Sequence, residues 1–219
     1  MPPVSARRPI PDATVARLPI YHRSLSQLRE KGTSKVSSAQ LANMAGLNAA
    51  KVRKDLSYLG SYGTRGVGYE VKYLLFQIDR ELGLAKDLGV AILGLGNLGR
   101  ALANYGGFGD SGFPVAALLD NDQTKVGTTY NGVKISHLND LAGVVVAERI
   151  AIAIIATPAH VAQEVTDQIV AAGVTSILNF APTTVTVPDH VTLRKVDLAS
   201  ELQILGFYQH RDTDIAEAS

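Results

Sequence analysis

Apolar and polar positions follow two different periods along the chain. Over the first third, apolar residues recur three or four apart, as in Leu18, Tyr21, Leu25 and Leu28, then Val52, Leu56 and Leu59, then Leu74, Leu75, Ile78 and Leu82. This spacing predicts helices over 15–30, 49–59 and 71–82. Pro19 falls inside the first of them and marks either its true start or a kink, because the proline ring removes one bond of the helical ladder. From Gly89 onward the pattern changes to short continuous apolar runs at 90–93, 114–119, 150–156 and 176–180. These read as buried strands. Amphipathic helices near 97–105, 136–147 and 158–172 separate them, so a parallel sheet covered on both faces is expected. A last helix over 196–209, carrying Leu198, Leu202, Leu205 and Phe207, follows the completed sheet and is apolar enough to pack on a partner subunit.

Punctuation residues refine the first third. Ser37 and Gln40 have capping-box spacing, in which the serine hydroxyl and the glutamine satisfy each other's backbone donors, so a short helix over 41–45 should follow and end at Gly46. Asn48 can cap the helix over 49–59. Its apolar Val52, Leu56 and Leu59 face inward, leaving Lys51, Arg53, Lys54 and Ser57 outward. Gly60, Gly63, Gly66 and Gly68 then mark a hairpin able to approach another backbone closely. Helix, glycine turn, basic helix and hairpin together form the winged helix-turn-helix pattern.

Charge sharpens the division. The chain of 219 residues has a net charge of +1, yet residues 1–83 carry 13 Lys+Arg against 6 Asp+Glu, a net of +7, and residues 84–219 carry 8 against 14, a net of −6. A basic module joined to an acidic one points to nucleic acid or an acidic membrane surface as a partner of the first. No apolar run approaches the roughly 18 residues of a membrane span, and the N-terminus lacks the apolar core of a secretory signal, so a cytoplasmic protein without membrane contact is expected. Cysteine is absent. That excludes disulfides, thiolate metal sites and thiol switches, so any redox sensitivity must come from a bound small molecule. No metal site is expected.

Candidate chemistry lies at the ends of the predicted strands. Gly94, Leu95, Gly96, Asn97, Leu98 and Gly99 directly follow the strand over 90–93 and open a helix, the context that the dinucleotide fingerprint requires. Gly94 permits the tight turn, Gly96 lets a pyrophosphate approach the backbone, and Gly99 lets the helix sit close on the sheet. About twenty residues on, Asp120 can accept hydrogen bonds from ribose hydroxyls and disfavours a 2′-phosphate, which prefers NADH / NAD+ over the phosphorylated forms, with Asp122 competing for the role. Thr157, Pro158, Asn179 and Phe180 fall at later strand ends, where a doubly wound sheet meets its ligand or merely turns. For DNA, Arg53 and Lys54 can bond guanine in the major groove, Arg65 can enter the minor groove, and Lys51, Ser57 and Tyr58 suit phosphates.

The fold class expected is therefore α/β: a flexible arm (1–12), an N-terminal winged helix-turn-helix domain (13–83), a C-terminal Rossmann dinucleotide-binding domain (84–197), a dimer helix (198–211) and a flexible tail (212–219).

Residues 52–60 and 62–69 strongly resemble the Rex family of bacterial redox-sensing repressors. The resemblance continues through the glycine fingerprint, residues 105–108, 179–182 and 196–198, and covers about residues 12–210. It implies a homodimer with winged helices, Rossmann domains and a swapped last helix, bound to inverted-repeat double-stranded operator DNA and released by NADH. It also implies that Arg23, Tyr105 and Asp197 form the switch, Asp197 exchanging partners as the nicotinamide arrives. An NAD-dependent dehydrogenase and a coenzyme A-responsive regulator are the alternatives. Against the first, His137, His160 and His190 have no carboxylate partner at a suggestive spacing.

Overall fold

The computed structural model describes residues 9–60, 63, 67–84 and 86–217. The chain forms two compact units, residues 1–86 and 87–219.

The first unit is helical, with α1 (Asp12–Val15), α2 (Leu18–Glu30), β1 (Lys35–Val36), α3 (Ser38–Ala45), α4 (Ala49–Tyr58), β2 (Tyr69–Glu70) and α5 (Val71–Glu81). The single helix expected over 15–30 is two helices. Pro19 stands in the first turn of α2, where a missing N–H costs nothing, and the break precedes it. The arm expected over 1–12 is shorter at its inner end, since Ile10 packs on the core and α1 begins at Asp12; residues 1–8 lie outside the described residues. The capping box forms as read, with the Gln40 N–H donating to Ser37 Oγ at 3.1 Å and the Ser37 N–H to Gln40 Oε1 at 3.0 Å. Gly46 closes α3 at φ 64, and Asn48 caps α4 by accepting from the Ala50 N–H at 2.7 Å.

The partner of β2 is not local. β1, which precedes α3, pairs with it antiparallel, Val36 opposite Tyr69. Two-residue strands are too short to show a period, so this pairing was invisible in the sequence. A Cβ on Gly68 would collide with the Val36 carbonyl, the close backbone approach that the glycines announced. The hairpin tip, residues 61, 62 and 64–66, lies outside the described residues. The core joins Leu18, Tyr21, Leu25, Leu41, Val52, Leu56, Leu74 and Ile78, each at most 1% exposed.

The second unit contains β3 (Gly89–Leu93), α6 (Asn97–Ala103), α7 (Gly107–Asp110), β4 (Val115–Asp120), β5 (Thr129–Tyr130), β6 (Val133–His137), α8 (Leu141–Ala147), β7 (Ile150–Ile155), α9 (Ala162–Ala171), β8 (Ser176–Asn179), β9 (Thr192–Lys195) and α10 (Leu198–Glu217). The sheet order is β5-β6-β4-β3-β7-β8-β9, parallel except for β5. The parallel strands run outward in chain order one way from β3, through β4 and β6, and the other way from β7. The crevice at their carboxyl ends is thus a topological switch point, where such sheets bind ligands.

Two expectations in this unit need correction, and one hairpin is new. The helix expected over 136–147 begins only at Leu141, after a single 3₁₀ turn; Ser136 and His137 belong to β6, whose Ile135 is buried. An Asn131-Gly132 turn, both residues at positive φ, joins β5 to β6, the residue pair that hairpin turns of this kind favour. Residues 212–217 are helical rather than a loose tail, because α10 meets neither glycine nor proline after Gly206 and runs on to Glu217.

Candidate functional site

Helix α4 is held by one buried carboxylate. Asp55, 1% exposed, accepts from Thr14 Oγ1 at 2.9 Å, from Arg17 Nε at 2.6 Å and Nη2 at 2.7 Å, and from the Tyr21 hydroxyl at 2.7 Å. Burial opposes ionisation, but the forked Arg17 bond and the Tyr21 and Thr14 hydroxyls outweigh it and hold Asp55 below the usual carboxylate range. Burial and the neighbouring Asp55 push Tyr21 upward. The network ties α4 to α1 and α2, so the outward face of α4 has a fixed aim. Asp55 was missed in the sequence, although it shares the inward face of Val52, Leu56 and Leu59.

On that outward face Lys51, Arg53 and Lys54 are exposed, and Ser57 and Tyr58 half-buried. Ser57 Oγ donates to the Lys54 carbonyl at 2.6 Å, which leaves its lone pairs free to accept. Arg53 Nη1 donates to Ser38 Oγ at 3.1 Å, bringing the start of α3 beside α4. Lys35, Ser38, Gln40, Arg53 and Tyr69 line a concavity of about 640 Å³. A cation, a guanidinium and a helix N-terminus facing one hollow suit an anionic backbone. Lys35 and Ser38 come from β1 and the start of α3, outside the face of α4 that the residue spacing marked. Arg65 lies outside the described residues.

In the second unit a cleft of about 580 Å³ opens at the switch point, lined by Gly94, Gly96, Asn97, Leu98, Asp120, Asn121, Lys125, Thr157, Pro158, His160, Phe180 and Pro182, among others. Gly94 turns at φ +97, and a Cβ there would lie 2.8 Å from the Ala156 carbonyl. A Cβ on Gly99 would overlap the Gly94 carbonyl. Gly96 differs, because a Cβ there meets nothing within 4 Å. Its glycine is required by no protein neighbour, and a side chain would project only into open space.

Asp120 ends β4 and accepts from the Leu95 N–H at 2.7 Å, the Asp122 N–H at 2.9 Å and Lys125 Nζ at 3.0 Å. Burial again opposes ionisation; the two backbone N–H groups and the Lys125 ammonium prevail and keep the carboxyl below its usual range. Lys125 also lies 3.4 Å from Asp122 Oδ2. Thr157 Oγ1 is buried without a hydrogen-bond partner. A buried orphan hydroxyl, an open glycine and an ionised carboxylate are what a polar ligand with phosphate and hydroxyl groups would complete.

The structure separates the remaining candidates. Leu95 is fully buried and serves only through its N–H. Asn179 is 1% exposed and does not line the cleft. Its Oδ1 accepts from the Ala181 N–H at 2.8 Å and its Nδ2 donates to the Thr183 carbonyl at 3.1 Å, so it shapes the turn that presents Phe180 and Pro182. Asp197 caps α10 through the Ser200 N–H at 3.2 Å and pairs with Lys195 at 3.0 Å, which brings its carboxyl down to about 2. Tyr105 follows α6, exposed, with its ring edge-on to Phe108 at 5.0 Å. Arg23 is exposed on α2 of the other unit. Lys125 was missed because nothing in the loop after β4 marks one lysine for the cleft.

These features define a class: a winged-helix DNA-binding unit joined to a Rossmann unit with a nucleotide-type cleft at its switch point. Comparison with known proteins makes the assignment narrower. Residues 9–57 match the family model described as putative DNA-binding protein N-terminus, and residues 85–183 the one described as CoA binding domain. The chain is 58% identical over 209 residues to the redox-sensing transcriptional repressor Rex of Streptomyces avermitilis, covering 95% of this chain and 83% of that protein. It is 47% identical over 203 residues to Rex of Carboxydothermus hydrogenoformans, covering 93% and 98%. Among solved structures it is similar to RSP in complex with beta-NAD+ and operator DNA, with TM-score 0.89, 32% identity, and 96% and 97% of the two chains covered. It is likewise similar to RSP in complex with beta-NADH, with TM-score 0.84, 30% identity and coverage of 97% and 100%. The chain belongs to the Rex family of redox-sensing transcriptional repressors.

Proposed function

We propose that this chain is an NADH-responsive repressor that binds inverted-repeat operator DNA as a cytoplasmic homodimer and leaves it when NADH fills the cleft. The observation that carries the ligand is the pairing of an open Gly96 with the unpartnered Thr157 Oγ1 across one cleft. Relatives solved with NAD+, NADH and operator DNA support both partners. In this reading Gly94, Gly96 and the start of α6 hold the pyrophosphate, Asp120 faces the adenosine ribose, and Thr157, Pro158 and Phe180 face the nicotinamide. The reduced ring is neutral and the oxidised ring cationic. A pocket walled by Pro158 and Phe180 favours the neutral form, because burying an unpaired cation is costly.

The dimer rests on α10, where Leu198, Leu202, Leu205 and Phe207 are each more than 60% exposed. A helix so apolar in water needs a cover, and a second copy supplies it. Arg53 and Lys54 read bases, Arg65 enters the minor groove, and Lys51, Ser57 and Tyr58 hold phosphates. Arg23, Tyr105 and Asp197 form the switch, Asp197 exchanging partners as the nicotinamide arrives. For release to follow, NADH must bind the DNA-incompetent dimer better than the competent one.

Titrating the full chain with NADH, NAD+ and CoA, followed by calorimetry, tests the ligand. One NADH per chain, bound more tightly than NAD+, is expected. Equal affinities would remove the redox preference, and binding of CoA alone would overturn the reading in favour of a different nucleotide.

A further inference from the structure

Asp120 alone does not account for what the adenosine end of the cleft should accept. An ionised carboxylate offers about four lone-pair positions, and three donors of the chain itself already occupy Asp120. One position remains for a ribose hydroxyl. The nearest cation, Lys125, lines the same cleft and lies between Asp120 Oδ2 at 3.0 Å and Asp122 Oδ2 at 3.4 Å. An ammonium has three N–H donors; Asp120 takes one in a hydrogen bond and Asp122 lies within ion-pair distance, so at most two are engaged. The third is available to the ligand.

We propose that Lys125 and Asp122 together set the specificity of this end: bridged by two carboxylates, Lys125 donates to the ribose of an unphosphorylated dinucleotide, while Asp122 keeps the trio net negative and so rejects a 2′-phosphate. The inference rests on the dinucleotide reading and adds to it the pair of residues that decides between the two dinucleotide classes. A lysine beside the ribose would by itself attract a phosphate dianion. What prevents this is Asp122. With Asp120, Lys125 and Asp122 all ionised the trio carries −1, and removing the Asp122 charge leaves it neutral with the ammonium partly released. The hydrogen bond to Asp120 keeps Lys125 fully charged, so the balance depends on the carboxylates and not on lysine protonation.

Asp122 also supports the loop. Its Oδ1 accepts from the Thr124 N–H at 2.9 Å and from Thr124 Oγ1 at 2.6 Å, and the amide oxygen of an asparagine can accept both. Asp122→Asn therefore removes charge and keeps the turn. The experiment is a titration of the full chain with NADH and with NADPH, in the wild type, Asp122→Asn, Lys125→Met and the double variant, with melting temperature as the control for folding. Wild type should take NADH about a hundredfold more tightly than NADPH, and Asp122→Asn should strengthen NADPH about tenfold while moving NADH less than about threefold. Lys125→Met should weaken NADH about tenfold, and the double variant should lose the NADPH gain, since that gain acts through the lysine.

An Asp122→Asn chain that still rejects NADPH would overturn the inference, as would an equal gain without Lys125 or unchanged NADH affinity in Lys125→Met. If the unsubstituted chain bound neither dinucleotide, the parent reading would fail first, and visibly so, before any substitution is made.

Discussion

The two units use an aspartate in opposite ways. Asp55 is enclosed: four hydrogen bonds from Thr14, Arg17 and Tyr21 saturate it, and it joins α4 to α1 and α2. Asp120 is half-enclosed, with three donors of its own chain on it and the cleft before it. In the first unit every hydrogen-bonding position of the carboxylate is used to hold a helix. In the second, a position is left over, in a cleft that also holds an open glycine and an orphan hydroxyl. A buried charge with all partners inside the protein makes a strut, and one with a partner missing makes a site.

The comparison can be broken most forcefully at Asp55. Asp55→Ala strands the Tyr21 hydroxyl and most of the Arg17 fork, so the first unit should lose about 2–4 kcal/mol, the cost of opening a largely buried ion pair, read by chemical denaturation. NADH affinity should be unaffected. A loss below about 0.5 kcal/mol would show that the network is not a strut.

Gly96→Ala should do the reverse. Open space receives the new methyl, so unfolding should change by no more than about 0.5 kcal/mol, while NADH affinity falls at least about tenfold because the backbone can no longer meet the pyrophosphate. The matching change at Gly99 should damage folding, since its Cβ would overlap the Gly94 carbonyl. Equal effects at the two glycines would erase the distinction between packing and ligand approach.

Thr157→Val removes the hydroxyl that has no partner. Stability should hold or rise slightly, and NADH affinity should fall about threefold to tenfold, the worth of one hydrogen bond. Unchanged affinity would remove Thr157 from the site.

The smallest expected effect is on acid stability. Asp55 is held below its ordinary range, so its contribution is fully present above the ordinary carboxyl value of about 3.9 and is lost as pH falls through the lower value it has in the folded chain. Unfolding of the first unit followed from pH 6 to pH 2 should therefore show a decline starting near about pH 4, and Asp55→Asn should flatten it. Identical pH profiles for the two chains would contradict the assigned direction.

Much of this was legible in the residue pattern. The fingerprint from Gly94 to Gly99 has its context on both sides, a continuous apolar strand and a helix start, so local signals agreed. The capping residues Ser37, Gln40 and Asn48 act on their own neighbours and were equally readable. Lys125 and Asp55 act across loops and helices, and local reading does not reach them, although an acid on the apolar face of α4 was a usable sign. The last two residues of β6 read as helix because Ser136 and His137 lead into Leu138 and Leu141 at helical spacing, whereas the sheet position of Ile135 keeps them in the strand. Asn179 sits where ligand contacts are common, and its amide also shapes the turn after β8, a role no spacing rule announces.

The central claim is that the two units answer to one another through NADH. Fluorescence anisotropy of the full chain on an A·T-rich inverted-repeat duplex at fixed salt, titrated in parallel with NADH and NAD+, tests it directly, with salt held constant because phosphate contacts dominate affinity. Release of the duplex at NADH concentrations where NAD+ leaves it bound is the predicted result. Retention of the duplex at saturating NADH would leave both units intact and contradict the claim that one controls the other.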